Sequence, residues 1–107
     1  MPDLDPSVAH LVVAKISHGY VASYGQIAAL AGYPGRARWV GKVLTQLPHD
    51  SHLPWHRVVN SVGLIRARRA EIALERLRSE GIVVKNGRID IRRFGWMKEV
   101  EIDDNRR

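Results

Sequence analysis

Two closely spaced helix signals constrain this chain most. Ser23 followed three residues later by Gln26 is a capping box, in which each side chain satisfies an unpaired backbone N–H at a helix start. It opens the helical run "YGQIAALA", which Gly32 stops. The turn "YPG", Tyr33 to Gly35, follows, and a third helix begins near Arg36. Helix, short glycine-containing turn, helix is the outline of a helix-turn-helix, though many small helical proteins share it. The third helix is more informative. At 100° per residue, Val40, Val43, Leu44 and Leu47 fall on one side, and Arg38, Gly41, Lys42 and Thr45 on the other. Glycine costs about 1 kcal/mol against alanine inside a helix. Gly41 therefore needs a reason: close approach of another backbone, such as a DNA strand, or close packing on another helix.

The rest of the chain fits around this pair. Pro6 and Ser7 read as a helix start, with Val8, Leu11, Val12 and Ile16 at helical spacing and Gly19 closing the helix. From Pro48 to Pro54 the chain should be irregular. "HRVVNSVGLI" reads as a short extended piece with a turn at Asn60 to Gly63, followed by a basic cluster, Arg66, Arg68 and Arg69. A fourth helix is expected from about Arg69 to Glu80, with Ala70, Ala73, Leu74 and Leu77 inward and Gly81 as its stop. "IVVKNGRIDI" is a hairpin signal with Asn86-Gly87 suited to a type I′ turn. That hairpin resembles the wing of a winged helix. Phe94, Trp96 and Met97 should pack back on the domain, and residues 101–107 should fray. The fold class is thus mainly α: a helix-turn-helix or winged-helix-like domain with a small β-hairpin, spanning residues 1–107 as one unit.

A chain of 107 residues with 45% hydrophobic content has a core for one compact domain. Its formal charge of +6 points to a polyanion, most simply nucleic acid, against the plainer alternative of an inert basic surface. Arginine outnumbers lysine, which favours phosphate and base-edge contacts. There is no cysteine, which excludes disulfides, thiolate-bound metals and every thiol mechanism. No apolar run is long enough to span a membrane, and "MPDLDPS" carries no signal-peptide pattern, so no membrane partner and an intracellular site are expected.

His56 and Glu80 form the first candidate constellation. Glu80 ends the fourth helix, where the helix dipole disfavours an anion, so its carboxylate needs a cation or an N–H donor. His56 can supply one. Such a pair either activates a nucleophile, with histidine as base, or fixes the turn Pro54–Arg57. With no thiol available, the structural role is favoured. His49, Asp50, His52 and His56 have no spacing that matches a metal site, so neither a metal nor another cofactor is expected. Tyr24 heads the second helix, with its hydroxyl available unless the ring lies at the edge of the core. Arg38 centres the polar face of the third helix, as a DNA contact or as a solvated side chain. Trp96 reads as core and Trp39 as half exposed. Trp55, in a loop beside basic residues, has the character of a platform for unpaired bases.

These residues fall into a known pattern. The segments "VASYGQIAALAG", "RARWVGKVL", "LPWHRVV" and "LRSEG" stand in the order and spacing of the O6-alkylguanine-DNA alkyltransferases. Over roughly Val8 to Val84 the chain resembles the DNA-binding C-terminal domain of those enzymes. Where they carry Pro-Cys-His-Arg, this chain has Pro54-Trp55-His56-Arg57. Tryptophan in place of the acceptor cysteine marks the alkyltransferase-like proteins, and the chain resembles that group. The resemblance implies a non-enzymatic, monomeric, cytoplasmic and DNA-associated sensor. It would bind O6-alkylguanine in double-stranded DNA through the minor groove, flip the base and flag it for nucleotide excision repair proteins.

By position, Tyr24 matches the tyrosine that helps extrude and contact the target nucleotide. Arg38 matches the arginine that fills the gap in the stack. Ala37, Gly41, Lys42 and Thr45 share the DNA-facing side of that helix. Trp55 would line the lesion pocket, with the carbonyls of Trp55 and Val58 accepting from the guanine amino group. Arg68 matches an arginine that reads the O6 edge. His56 and Glu80 match the enzyme's activating pair, here relict or structural. The enzymes' Tyr-Ser-Gly-Gly loop is replaced by the stretch Arg66–Ala70, a hinge asparagine by Leu47, and an Ile-Pro pair by Ile16-Ser17. The first two changes agree with loss of transfer chemistry. A general winged-helix DNA binder without lesion preference, and an enzyme using His56 and Glu80, are the competing readings.

Overall fold

The protein was analysed as a computed structural model that describes residues 4–48, 50–65 and 69–96. Helix α1 spans Pro6–Ala14 and is capped by Asp5, whose carboxylate accepts from the Ser7 N–H at 3.0 Å. Pro6 takes the first helical position, where a missing N–H costs nothing. The helix buries Ala9, Val12 and Val13, and Ile16 just beyond it is also buried. Leu11, expected on the inner stripe, is 63% exposed. The buried set repeats at three- and four-residue intervals from Ala9, and Leu11 points to the opposite side. Gly19 does not close α1, which ends at its cap Lys15. Instead Gly19 adopts a left-handed conformation (φ +87°) in a separate turn.

The capping box forms as expected. Ser23 Oγ accepts from the Gln26 N–H, Gln26 Oε1 accepts from the Ser23 N–H, and α2 runs Tyr24–Leu30. Its end is a Schellman motif, with Tyr33 N–H bonded to the Ala28 carbonyl and Gly32 N–H to that of Ala29. Helix α3, Ala37–Thr45, buries Val40, Val43 and Leu44 against α1 and α2. Between these helices and the rest lies a short parallel pair, β1 (Ala22–Ser23) with β2 (Val58–Val59), in register Ala22 to Val58 and Ser23 to Val59. A single-turn 3-10 helix, Trp55–Arg57, leads directly into β2.

Helix α4, Ala70–Ser79, lies one residue inside the expected span at each end, with Arg69 and Glu80 as its caps, and closes in a second Schellman motif through Gly81 and Ile82. The hairpin β3 (Val84–Lys85) and β4 (Arg88–Ile89) turns through Asn86 and Gly87, both at positive φ, as a type I′ turn requires. A four-residue helix, α5 (Ile91–Phe94), then brings Gly95 alongside Val21. That helix is not legible in the sequence. Its start depends on Asp90, whose side chain accepts from the Arg92 N–H. Phe94 and Trp96 pack back on the body, as expected. Met97 and residues 101–107 lie outside the described residues, as do His49, Arg66 and Arg68.

Two apolar clusters result. One joins α1, α2 and α3; the other joins Leu77 of α4, Ile82 and Ile89 of β4. The β1–β2 pair stands between them. Ala22 and Val58 face the first cluster, while Val21 and Val59 face the second, by the two-residue alternation of extended chain. Among the described residues, no helix is long and apolar enough to cross a membrane. The architecture is the mainly helical, helix-turn-helix domain with a small hairpin that the sequence predicts.

Candidate nucleic-acid interface and pocket

The outer face of α3 carries exposed Arg38, Lys42 and Thr45, with Ala37 and Gly41 half-buried between them. Arg38 and Lys42 have no ion-pair partner among the described residues. The Thr45 hydroxyl hydrogen is shared between the carbonyls of Gly41 and Lys42, at 2.7 and 3.0 Å. That leaves its oxygen only lone pairs to offer outward. Gly41 faces the ring of Tyr24. A Cβ built on it would lie 3.8 Å from the nearest ring carbon, an ordinary contact. The protein therefore does not need glycine there to avoid a clash, and packing on another helix does not explain it. Burial pushes the Tyr24 phenol up, so it remains a neutral hydroxyl at any working pH.

The Trp55–Arg57 turn is tied to this face through the strand pair. Tyr24 follows β1 directly, and the Trp55–Arg57 turn precedes β2 directly. The base of α2 and the turn therefore hold each other across two residues of parallel pairing. Trp55, His56 and Val58 are all buried. The Trp55 carbonyl accepts from the Val58 N–H, which leaves one lone pair of the two. The Trp55 indole lies edge-on to the His56 ring. The guanidinium groups of Arg69 and Arg76 lie over it, with their carbons 5.2 and 5.1 Å from the ring centroid. Arg69 also donates to the Leu47 carbonyl at 2.8 Å. An electron-rich ring holding two cations is a cation–π cluster, and partial desolvation strengthens it.

Glu80 caps the end of α4 and is surrounded by donors. His56 Nε2 stands 2.6 Å from its Oε2, Arg57 Nε and Nη2 each approach to 2.9 Å, and the Gly19 N–H donates at 3.0 Å. Arg57 Nη1 further donates to the Ile16 carbonyl. Burial alone would push the Glu80 carboxyl up. The bonds from Arg57, Gly19 and His56 outweigh that and bring it down to about 2. His56 moves the other way from a typical ion-pair histidine. Desolvation lowers it, aided by Arg57 and Arg76, and the attraction of Glu80 does not compensate. The neutral imidazole then carries its proton on Nε2, facing the carboxylate, and Nδ1 is left as a bare acceptor. Both His56 Nδ1 and Trp55 Nε1 are buried without a hydrogen-bond partner among the described residues. Such atoms are rare, and here both belong to the residues expected around the lesion.

The structure thus brings Trp55, His56, Val58 and Glu80 together, and separately joins Tyr24 to Gly41. Arg68 lies outside the described residues. Sequence reasoning misses three participants: Arg57, Arg69 and Arg76. Arg76 is accessible to it, since this residue lies four positions before Glu80 on the same helical face. Arg57 is harder to find, because His56 alone is a sufficient donor to Glu80 on paper. Among the described residues, no cluster of three or more histidine or acidic side chains could hold a metal.

A helix-turn-helix linked by a strand pair to a His–Glu pair beside a buried tryptophan defines a class. The chain belongs to the family described as 6-O-methylguanine DNA methyltransferase, DNA binding domain, whose pattern matches residues 7–82. Within that family it belongs with the alkyltransferase-like proteins, by its identity to one of them, and its sequence contains no cysteine. It is 45% identical over 97 residues to the DNA base-flipping protein of Escherichia coli (strain K12), covering 88% of this chain and 75% of that one. It is 40% identical over 76 residues to alkyltransferase-like protein 1 of Schizosaccharomyces pombe, covering 67% and 70%. The structure of S. pombe Atl1 in complex with damaged DNA containing O6-carboxymethylguanine superposes with a TM-score of 0.81 at 31% identity, covering 85% of this chain and 93% of that one.

Proposed function

We propose that this protein is a non-enzymatic sensor that binds O6-alkylguanine in duplex DNA, turns the damaged nucleotide out against Trp55, and marks it for nucleotide excision repair. Tyr24 and Arg38 carry the extrusion, the first at the base of the pocket and the second by filling the vacated stack. Ala37, Gly41, Lys42 and Thr45 line the minor-groove contact, and the carbonyls of Trp55 and Val58 take the guanine amino group. Arg68 reads the O6 edge. The protein acts as a monomer in the cytoplasm, on DNA.

One observation carries this reading. The His56–Glu80 pair stands at 2.6 Å beside Trp55, an indole that cannot act as an alkyl acceptor. A pocket kept without its nucleophile can hold a substrate but cannot accept its alkyl group. Flipping costs a few kcal/mol of stacking and pairing, less at a damaged base, so discrimination is built into the extrusion step. The phosphate contacts should supply most of the affinity and make it salt-dependent. The relatives support the reading, since one is a DNA base-flipping protein and another was solved in complex with damaged DNA containing O6-carboxymethylguanine.

The test compares labelled duplexes carrying one O6-methylguanine or one guanine at fixed salt, followed by intact mass analysis of protein and DNA. Tighter lesion binding with unchanged masses is expected. Equal affinity for both duplexes would instead identify a general winged-helix DNA binder.

A further inference from the structure

A second group of unpaired cations lies away from α3. The Asn60–Leu64 turn, the β3–β4 hairpin and the start of α5 bound an open groove of about 460 Å³, lined among others by Ser61, Val62, Lys85, Arg88, Asp90 and Arg92. That volume is within the roughly 300–1,000 Å³ of ligand-sized clefts. Its walls are fixed by the backbone. Asn60 Oδ1 accepts from the N–H groups of Val62 and Leu64, and Ile89 N–H donates to the Gly63 carbonyl at 2.9 Å. A Cβ on Gly63 would lie 2.0 Å from the Ile89 carbonyl oxygen, so turn and strand touch directly. This framework holds Val62 outward at 52% exposure.

Lys85, Arg88 and Arg92 are exposed and make no ion pair among the described residues. By contrast Arg57, Arg69 and Arg76 all have partners in the pocket. A phosphate backbone would use the three cations but gain nothing from Val62. An extended peptide with carboxylates on either side of an apolar residue uses both the three cations and Val62, against the opposition of Asp90, whose carboxylate is engaged in part by the Arg92 N–H. Its charges complement the cations, and its apolar side chain covers Val62 and the neighbouring Ile91. A second copy of this chain, with its net +6, fits poorly. The hairpin packs on the cluster of Leu77 and Ile82, whereas α3 packs on the other side of the β1–β2 pair. Occupying the groove therefore leaves α3 free for DNA.

We propose that this groove is the docking site for an acidic–apolar segment of a partner protein, engaged while α3 holds DNA. The assignment deepens the proposed role in marking lesions and rests on it for its purpose. The probe is a fluorescein-labelled peptide alternating Glu with Val and Leu, read by anisotropy, with polyglutamate of equal charge as control. The alternating peptide should bind more tightly than polyglutamate. Arg88→Glu and Val62→Asp, both at exposed positions, should each weaken it about tenfold or more, with lesion-duplex affinity nearly unchanged.

Three results would overturn the proposal: polyglutamate binding as tightly as the alternating peptide, variants binding the peptide like wild type, or Arg88→Glu weakening undamaged duplex in parallel. The last would identify the groove as a phosphate contact. Peptide binding in a protein that shows no lesion preference would support the groove and remove the sensor reading, so the two fail separately.

Discussion

The Glu80 carboxylate holds the Arg57 guanidinium side-on, through Nε and Nη2 at 2.9 Å each, and takes His56 Nε2 at 2.6 Å on the same oxygen as Nη2. Because Arg57 also reaches the Ile16 carbonyl, this one carboxylate joins the end of α4, the Trp55–Arg57 turn and the chain after α1. His56, Arg57 and Glu80 thus form a clamp across the fold.

That clamp should be acid-sensitive. Glu80 is brought down to about 2 from an ordinary 4.5, so its contribution is complete above pH 4.5 and is lost as the pH falls from there toward 2. The shift corresponds to on the order of 3 kcal/mol. His56, drawn below its ordinary 6.5, must stay neutral in the fold, so stability begins to decline as the pH falls through 6.5. Thermal unfolding measured from pH 8 to 3 should show both phases. Glu80→Gln should abolish the lower one and lower stability at pH 7 by roughly 3 kcal/mol, because it leaves the half-buried Arg57 without its anion. A Tm that stays flat down to pH 4 would contradict the clamp.

Gly41→Ala separates fold from function at one position. The added methyl meets Tyr24 at an ordinary distance, so the helix should gain up to about 1 kcal/mol of stability. If α3 enters the minor groove with Gly41 against the DNA backbone, the same methyl should weaken duplex binding about tenfold. Urea titration and duplex binding on one preparation measure both. A stabilised variant with wild-type affinity would show that Gly41 does not face DNA.

Much of this is legible in the sequence where the rule is local. The capping box, the Gly32 and Gly81 stops and the Asn86-Gly87 turn each rest on a few adjacent residues, and each forms. The polar face of α3 is legible because one helical period fixes it. Long-range pairing is not. Nothing local says that Gly19 serves Glu80 across the chain, and from its neighbours alone Gly19 reads as the end of α1. Leu11 stands next to Val12 in sequence, and a loose apolar stripe admits both, although only Val12 is turned inward. In the pocket, the motif draws notice to His56, whereas the geometry gives Arg57 the larger share of Glu80. The guanidinium groups over Trp55 result from how α4 packs on the 3-10 turn, and no motif encodes that packing.

Arg38→Ala should reduce affinity for a lesion duplex about tenfold or more, with a smaller effect on undamaged DNA, because only the flipped state needs the gap filled. The side chain is exposed, so stability should stay within about 0.5 kcal/mol of wild type. Competition binding with both duplexes gives the ratio. A parallel loss on both would reduce Arg38 to a phosphate contact.

Trp55→Cys restores the family's missing thiol in a cationic setting. The new side chain would sit beside Arg69, Arg76 and His56, and nearby cations lower a thiol's pKa and favour the thiolate. It should react readily with a small reagent such as iodoacetamide. It should still fail to take the methyl group from O6-methylguanine in DNA. Removing a buried indole opens a cavity at a cost of roughly 3–5 kcal/mol, and both guanidinium groups lose the ring they rest on. The walls would then relax around a smaller residue, and a near-attack geometry tolerates little displacement. Incubation with an excess of lesion duplex, followed by intact mass, decides it. A stoichiometric gain of one methyl group would show that the tryptophan alone separates this sensor from an alkyltransferase.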